Sequence, residues 1–164
     1  MAGRISLLVD SPLRDLALLM RQVPGELRRQ IGKATKSEAK PIWFQEVREY
    51  AHTLLQQRVI VNSADVSVTA RNVTLKAGAK GRRSNGTPNV VLIRAAEFGM
   101  GENKEIQSKT RKGKAYKRRA GNAFGPSKRS GNAVYPAVSR VLTRIASLWV
   151  QTAHRTIHEK LEEV

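Results

Sequence analysis

Residues 11–58, SPLRDLALLMRQVPGELRRQIGKATKSEAKPIWFQEVREYAHTLLQQR, place apolar side chains at helical spacing almost without interruption. Ser11-Pro12 is a helix start, with Ser as N-cap and Pro at the first helical position, where a missing N–H costs nothing. Leu13, Leu16, Met20 and Val23 then share one face. Pro24-Gly25 predicts a break. The pattern resumes with Leu27, Ile31 and Ala34, and continues through Ile42, Phe44, Val47, Ala51, Leu54 and Leu55, flanked by Trp43 and Tyr50. The reading is a short helix followed by a long one kinked near Pro41, together spanning 11–58. Its apolar stripe is core rather than a binding face.

Beyond Arg58 the period changes to two. Val59 and Val61 stand two apart, followed by Val66 and Val68, then Val73 and Leu75. A hairpin at about 65–77 follows, with Arg71-Asn72 in its turn, because Asn tolerates positive φ. Residues 77–89, AGAKGRRSNGTPN, read as loop with a turn at Asn85-Gly86. The apolar run Val90–Ile93 suits a buried strand, so 59–94 reads as β-rich. No regular structure is suggested between Gly99 and Asn132. Tyr135-Pro136 then opens a terminal helix over 135–162, with Val138, Val141, Leu142, Ile145, Leu148, Trp149, Thr152 and Leu161 along one side. At ~1.5 Å per residue it approaches 40 Å.

The stretch from Lys104 to Arg129, KEIQSKTRKGKAYKRRAGNAFGPSKR, carries ten basic residues against the single acid Glu105. So few apolar side chains cannot offset the entropy of ordering the segment, which predicts a mobile arm over about 100–132 unless a partner holds it. The 164 residues, 40% of them hydrophobic, suffice for one domain with a core. A formal charge of +17 and a pI near 11.1 imply contact with nucleic acid or another polyanion, or with acidic neighbours in a large assembly.

Cysteine is absent, which excludes disulfides and thiolate metal sites. The first twelve residues lack a cleavage pattern, so no signal peptide is expected. The longest apolar run, Leu16–Met20, is far below a membrane span, and no membrane partner is expected.

Catalytic signals are poor. His154 and His158 have the i, i+4 spacing that can hold a metal, but Arg155 stands where a zinc protease has Glu, and His52 is alone. Two solvated histidines near a helix C-terminus explain the pair without a metal. The loop GAKGRRSNG lacks the spacing of a phosphate-binding loop. Neither enzyme activity nor a metal or cofactor is expected. Tyr116 and Phe124 are the aromatics of the basic stretch, so it lacks the stacking residues of a single-strand binder. Its cations can neutralise phosphates without reading sequence, or fit an acidic groove on a protein ring.

Three segments carry a family resemblance: the helix 27–58, the motif Ala95-Ala96-Glu97-Phe98-Gly99, and Val134-Tyr135-Pro136-Ala137 opening the last helix. In this order they resemble the tail-completion, or neck, proteins of long-tailed bacteriophages, which include head–tail joining and minor tail components of lambda-like siphophages. The loop between the second and third segments is longer and more basic than that family's pattern. The resemblance implies a non-catalytic homo-oligomeric ring, commonly hexameric, between the portal side of the capsid and the tail tube. Its partners would be head–tail connector or adaptor proteins and the tail tube or tail terminator, with DNA passing through the channel. The protein would be made in the host cytoplasm and reside in the virion. Glu97, Phe98, Gly99, Tyr135 and Pro136 are the signature residues. Glu97-Phe98-Gly99 reads either as a tight turn at a ring contact or as a strand end with Phe98 in the core.

The expected fold is one α+β domain: long N- and C-terminal helices on a small antiparallel sheet, with an extended basic loop. Candidate contact residues are Arg111, Lys112, Lys114, Lys117, Arg118, Arg119, Lys128 and Arg129 in the arm, and Arg82 and Arg83 in the loop before Val90. The competing reading is a basic nucleic-acid-binding module, such as a packaging or ribosome-associated factor. A metal hydrolase built on His154 and His158 is a third.

Overall fold

A computed structural model describes residues 12–162, apart from residues 70, 79, 85 and 111. The fold is α+β, with helices α1 (Pro12–Gln22), α2 (Gly25–Tyr50), α3 (Leu54–Val59), α4 (Asn89–Phe98) and α5 (Val134–Glu162). Two antiparallel hairpins complete it: β1 (Asp65–Val68) with β2 (Val73–Lys76), and β3 (Glu105–Lys109) with β4 (Ala115–Arg119). The expected Ser11 cap and the Asn85 turn position lie outside the described residues.

The chain forms two compact units. Of the described residues, the first comprises 12–44, 65–76 and 140–162. Its core gathers Ala17 and Met20 of α1, Ile31 of α2, and Trp149 and Ala153 of α5, with Val73 of β2 packed against them. The buried face of α2 is an unbroken i, i+4 ladder of Ile31, Thr35, Ala39, Trp43 and Val47, each 0% exposed. Helical geometry stacks such residues one above the other. This corrects the expected stripe: Trp43 is inside it and Phe44 outside. Thr35 and Ala39 belong to the ladder but carry too little hydrophobicity to mark it. The Trp43 indole N–H donates to the Lys76 carbonyl at 3.0 Å, tying β2 to α2. The helix runs through Pro41 and stops at Tyr50, so the expected helix over 11–58 is three helices.

The β1–β2 hairpin has its expected place, in the register Asp65↔Lys76 to Val68↔Val73. Its loop is organised by Thr69, whose amide donates to the Asn72 carbonyl at 2.9 Å and whose hydroxyl donates to the Asn72 side-chain oxygen at 2.8 Å.

The second unit comprises residues 45–64 and 77–139. Here the expected β-rich span 59–94 is largely wrong. Val59 ends α3 and Val61 begins a 3-10 turn, so Val59, Ile60 and Val61 are buried consecutively rather than alternately. Val90–Ile93 opens α4 instead of forming a strand, and Val90 and Val91 are exposed. A four-residue apolar run cannot distinguish the two, and the helix formers Arg94, Ala95, Ala96 and Glu97 that follow decide it.

The expected featureless arm over 100–132 is also corrected. Residues 105–119 form the β3–β4 hairpin, closed by the Thr110 amide donating to Lys114 O at 2.8 Å and by Gly113 at φ 84°. Residues 120–133 belong to the unit itself: Ala120, Phe124, Asn132 and Ala133 are buried.

Replacing Ile31 by Ala leaves a cavity in a fully buried ladder and should cost about 2–5 kcal/mol. Leu161, expected on the core side of α5, is 72% exposed, so Leu161→Ala should stay within about 0.5 kcal/mol. Chemical denaturation of both variants checks the pair; equal losses would mean that the buried face has been misassigned.

Candidate functional site

The motif Glu97-Phe98-Gly99 sits at the C-terminus of α4, where four carbonyls lack intrahelical donors. The segment entering α5 supplies two of them. The Lys128 amide donates to Phe98 O at 2.9 Å and the Asn132 amide to Glu97 O at 2.7 Å. The chain leaves α4 through Gly99 at φ 73°, and a Cβ there would lie 2.0 Å from the Pro126 carbonyl oxygen. Only glycine fits this turn. The Asn132 side-chain amide holds the same carbonyl at 2.8 Å.

The opposite end of the junction has the complementary need. The first residues of α5 expose amides, and Ala133, the residue before it, has no side chain that can cap them. The Glu97 carboxylate takes that role from a distant part of the chain. Its Oε2 accepts from the amides of Ala133 at 3.2 Å and Val134 at 2.8 Å, and its Oε1 from Tyr135 at 3.0 Å. Glu97 is 3% exposed, so the burial of a charge is met by three donors at the positive end of a 29-residue helix. Gly131, at φ 78°, leaves the room: a Cβ there would come within 2.2 Å of Glu97 Oε1. Phe98 packs on Tyr135 with ring centroids 5.6 Å apart. The two signature motifs, separated by over thirty residues, thus form one junction. Glu97-Phe98-Gly99 ends a helix, not a strand, and Phe98 is half-buried rather than in the core.

Beside the junction lies a cleft of about 640 Å³, lined among others by Tyr50, His52, Gln56, Lys128, Asn132 and Tyr135. Gln56 is locked. Its Oε1 accepts from the amides of His52 and Thr53, both at 3.0 Å, and its Nε2 donates to Ala96 O at 3.1 Å. The cleft therefore has a rigid floor and an exposed rim in Tyr135, which is 44% exposed.

The β3–β4 hairpin leaves the unit from this base. The Ala120 amide donates to Lys104 O at 2.8 Å and the Gly121 amide to Glu102 O at 2.9 Å, continuing the ladder below the strands. Lys112 and Lys114 stand at the tip, and Lys117, Arg118 and Arg119 along β4, all exposed. Arg111 lies outside the described residues. The register puts Lys109, Lys117 and Arg119 on one face with Glu105, and Tyr116 and Arg118 on the other with Ile106 and Ser108. Lys117 reaches Glu105 at 3.5 Å, and Arg118 Nε donates to Ser108 Oγ at 3.0 Å. Exposed pairs of this kind contribute little to stability.

The remaining basic candidates are elsewhere in the second unit, and the histidine pair is in the first. Lys128 and Arg129 are exposed on the segment that feeds the junction. Arg82 lies on the loop before α4, its guanidinium donating to Gly86 O at 3.2 Å, and Arg83 beside it is half-buried. His154 and His158 stack at 6.3 Å, and among the described residues no group of three or more His, Cys, Asp or Glu is placed to hold a metal. No helix among the described residues is long and apolar enough to cross a membrane.

No family model, curated protein or solved structure matches the chain.

Glu97→Ala should destabilise the protein by about 2–4 kcal/mol, because three amides lose their acceptor in a buried site. Glu97→Gln keeps an acceptor oxygen and should lose roughly half as much. Gly131→Ala should approach the larger loss, since its methyl group displaces the carboxylate. Thermal and chemical melts rank the three; indifference of all of them would remove Glu97 as the cap of α5.

Proposed function

We propose that the protein is a structural component of the head–tail interface of a long-tailed phage, assembling as a ring and docking through the β3–β4 hairpin. The observation that carries this reading is the hairpin. Every described side chain of residues 109–119 is exposed, and the strands bury no core of their own. A two-stranded hairpin is marginally stable alone in water. A folded unit that maintains such an element on a pinned base has it available for a surface outside itself.

The resemblance to neck proteins supports the same reading. Two of its three segments, Ala95–Gly99 and Val134–Ala137, meet at the Glu97 junction and hold the arm's base. A ring gives each arm a neighbouring subunit or a flanking ring to lie against, as closed symmetric assemblies do. The charge of the hairpin also favours the competing reading, a basic nucleic-acid-binding module working as a monomer.

Electron microscopy of the purified full chain separates the two. Closed rings are expected, and a strictly monomeric protein at all concentrations would refute the reading. Replacing residues 105–119 by a short Gly-Ser link should change the melting temperature by only a few degrees, because the hairpin buries little. Phage carrying that replacement should accumulate unjoined heads and tails. Removing 120–133 as well should unfold the unit, since Phe124 and Ala133 lie in its core.

A further inference from the structure

We infer that the surface met by the β3–β4 arm is duplex DNA, gripped through its phosphates. This rests on the docking arm proposed above and names its occupant as DNA in place of a neighbouring subunit or ring; it depends only on the arm projecting from its unit, not on ring closure. Between residues 104 and 119 the chain has eight Lys and Arg against Glu105. The register puts Lys109, Lys117 and Arg119 on one face and Arg118 on the other, and Lys112 and Lys114 stand at the tip. An acidic protein groove would neutralise one face and leave the rest in solvent. A groove of duplex DNA has a phosphate wall on either side of whatever enters it.

The dimensions agree. The major groove, about 12 Å wide and 8.5 Å deep, admits a two-stranded β-ribbon. Same-face residues on a strand recur every ~6.8 Å, which is two base-pair rises of ~3.4 Å each along a duplex. Lys117 and Arg119, one such interval apart, can therefore each reach a different phosphate. The Ser108 hydroxyl holds the Arg118 guanidinium, and Tyr116 beside it is 45% exposed with a hydroxyl that can reach phosphate. Lysine dominates the tip and acts as a point charge, so binding is blind to sequence.

The test is fluorescence anisotropy of a short random-sequence duplex titrated with the dilute full chain, between about 50 and 200 mM salt. The arm variant K112Q/K114Q/R118Q/R119Q should flatten the log–log salt dependence by about 3–4 and weaken binding on the order of 100-fold at the middle of that range. The equal-charge control R21Q/R29Q/K33Q/R144Q, built from exposed cations on α1, α2 and α5, should change the slope by less than about 1. Equal losses from both variants would mean that bulk charge binds DNA, and the inference fails. It also fails if the arm variant binds DNA as the parent does, and loss of a protein partner alone by that variant would assign the arm to an acidic protein surface. Ring formation is read by microscopy without DNA and binding by anisotropy, so a negative result here leaves the ring reading intact, and absence of rings leaves this one intact.

Discussion

A single carboxylate, Glu97, carries the architecture of the second unit. The end of α4 and the start of α5 have opposite deficits, one of donors and one of acceptors. Bringing them together lets each supply the other: α4 carbonyls take the Lys128 and Asn132 amides, while the α5 amides converge on Glu97. The two glycines beside it are there for space, since a side chain at residue 99 would strike Pro126 and one at residue 131 would strike the carboxylate itself. The same closure governs the arm. Backbone pairs run from Glu105↔Arg119 through Lys104–Ala120 and Glu102–Gly121 to Phe98–Lys128 and Glu97–Asn132. The hairpin is the free end of a stem whose root is a helix cap.

Charge is arranged by the same economy. With 13 acids against 30 bases, each acid matters. Glu97 caps α5, Asp65 lies 3.9 and 3.7 Å from Lys36 and Lys40, and Glu38 accepts from Arg155 at 3.1 Å. These acids are engaged where helices and strands meet. The arm has Glu105 at its base and no acid toward its tip. Its positive field is therefore uncompensated along most of its length, which steers it to polyanions over distances of about 10 Å at moderate salt.

The helices at both ends were legible because their apolar residues recur at helical spacing over many turns, and the β1–β2 hairpin because Val66, Val68, Val73 and Leu75 alternate around a turn. Shorter signals misled. Val59–Val61 and Val90–Ile93 are apolar runs of three and four residues, compatible with either period, and both are helical or near-helical. The β3–β4 hairpin was invisible to hydrophobic patterning because its strands are solvated on both faces; Ile106 and Ser108 are its half-buried positions. The basic character of the arm could be read directly, but its boundaries could not, since Ala120, Phe124 and Asn132 look like loop residues and are buried. The role of Glu97 had one trace in the sequence. A long helix beginning Val134-Tyr135, with Ala133 before it, lacks a capping side chain of its own, and such a helix must find an acceptor elsewhere.

That the arm is a hairpin rather than a loose loop changes what it can do. Ordering a free fifteen-residue segment on contact would cost roughly 1–2 kcal/mol per residue in backbone entropy alone. Exposed Lys–phosphate or Lys–carboxylate contacts would be consumed in meeting that cost. Cross-strand pairing, the Thr110–Lys114 closure and the stem below Lys104 fix much of the backbone beforehand. What remains to be ordered is the long basic side chains, which stay adaptable at their tips. A polycation that is stiff in its backbone and mobile in its charges can follow an anionic surface of fixed spacing while recognising none of its chemical detail. That combination suits the sequence-blind phosphate contact proposed for the arm.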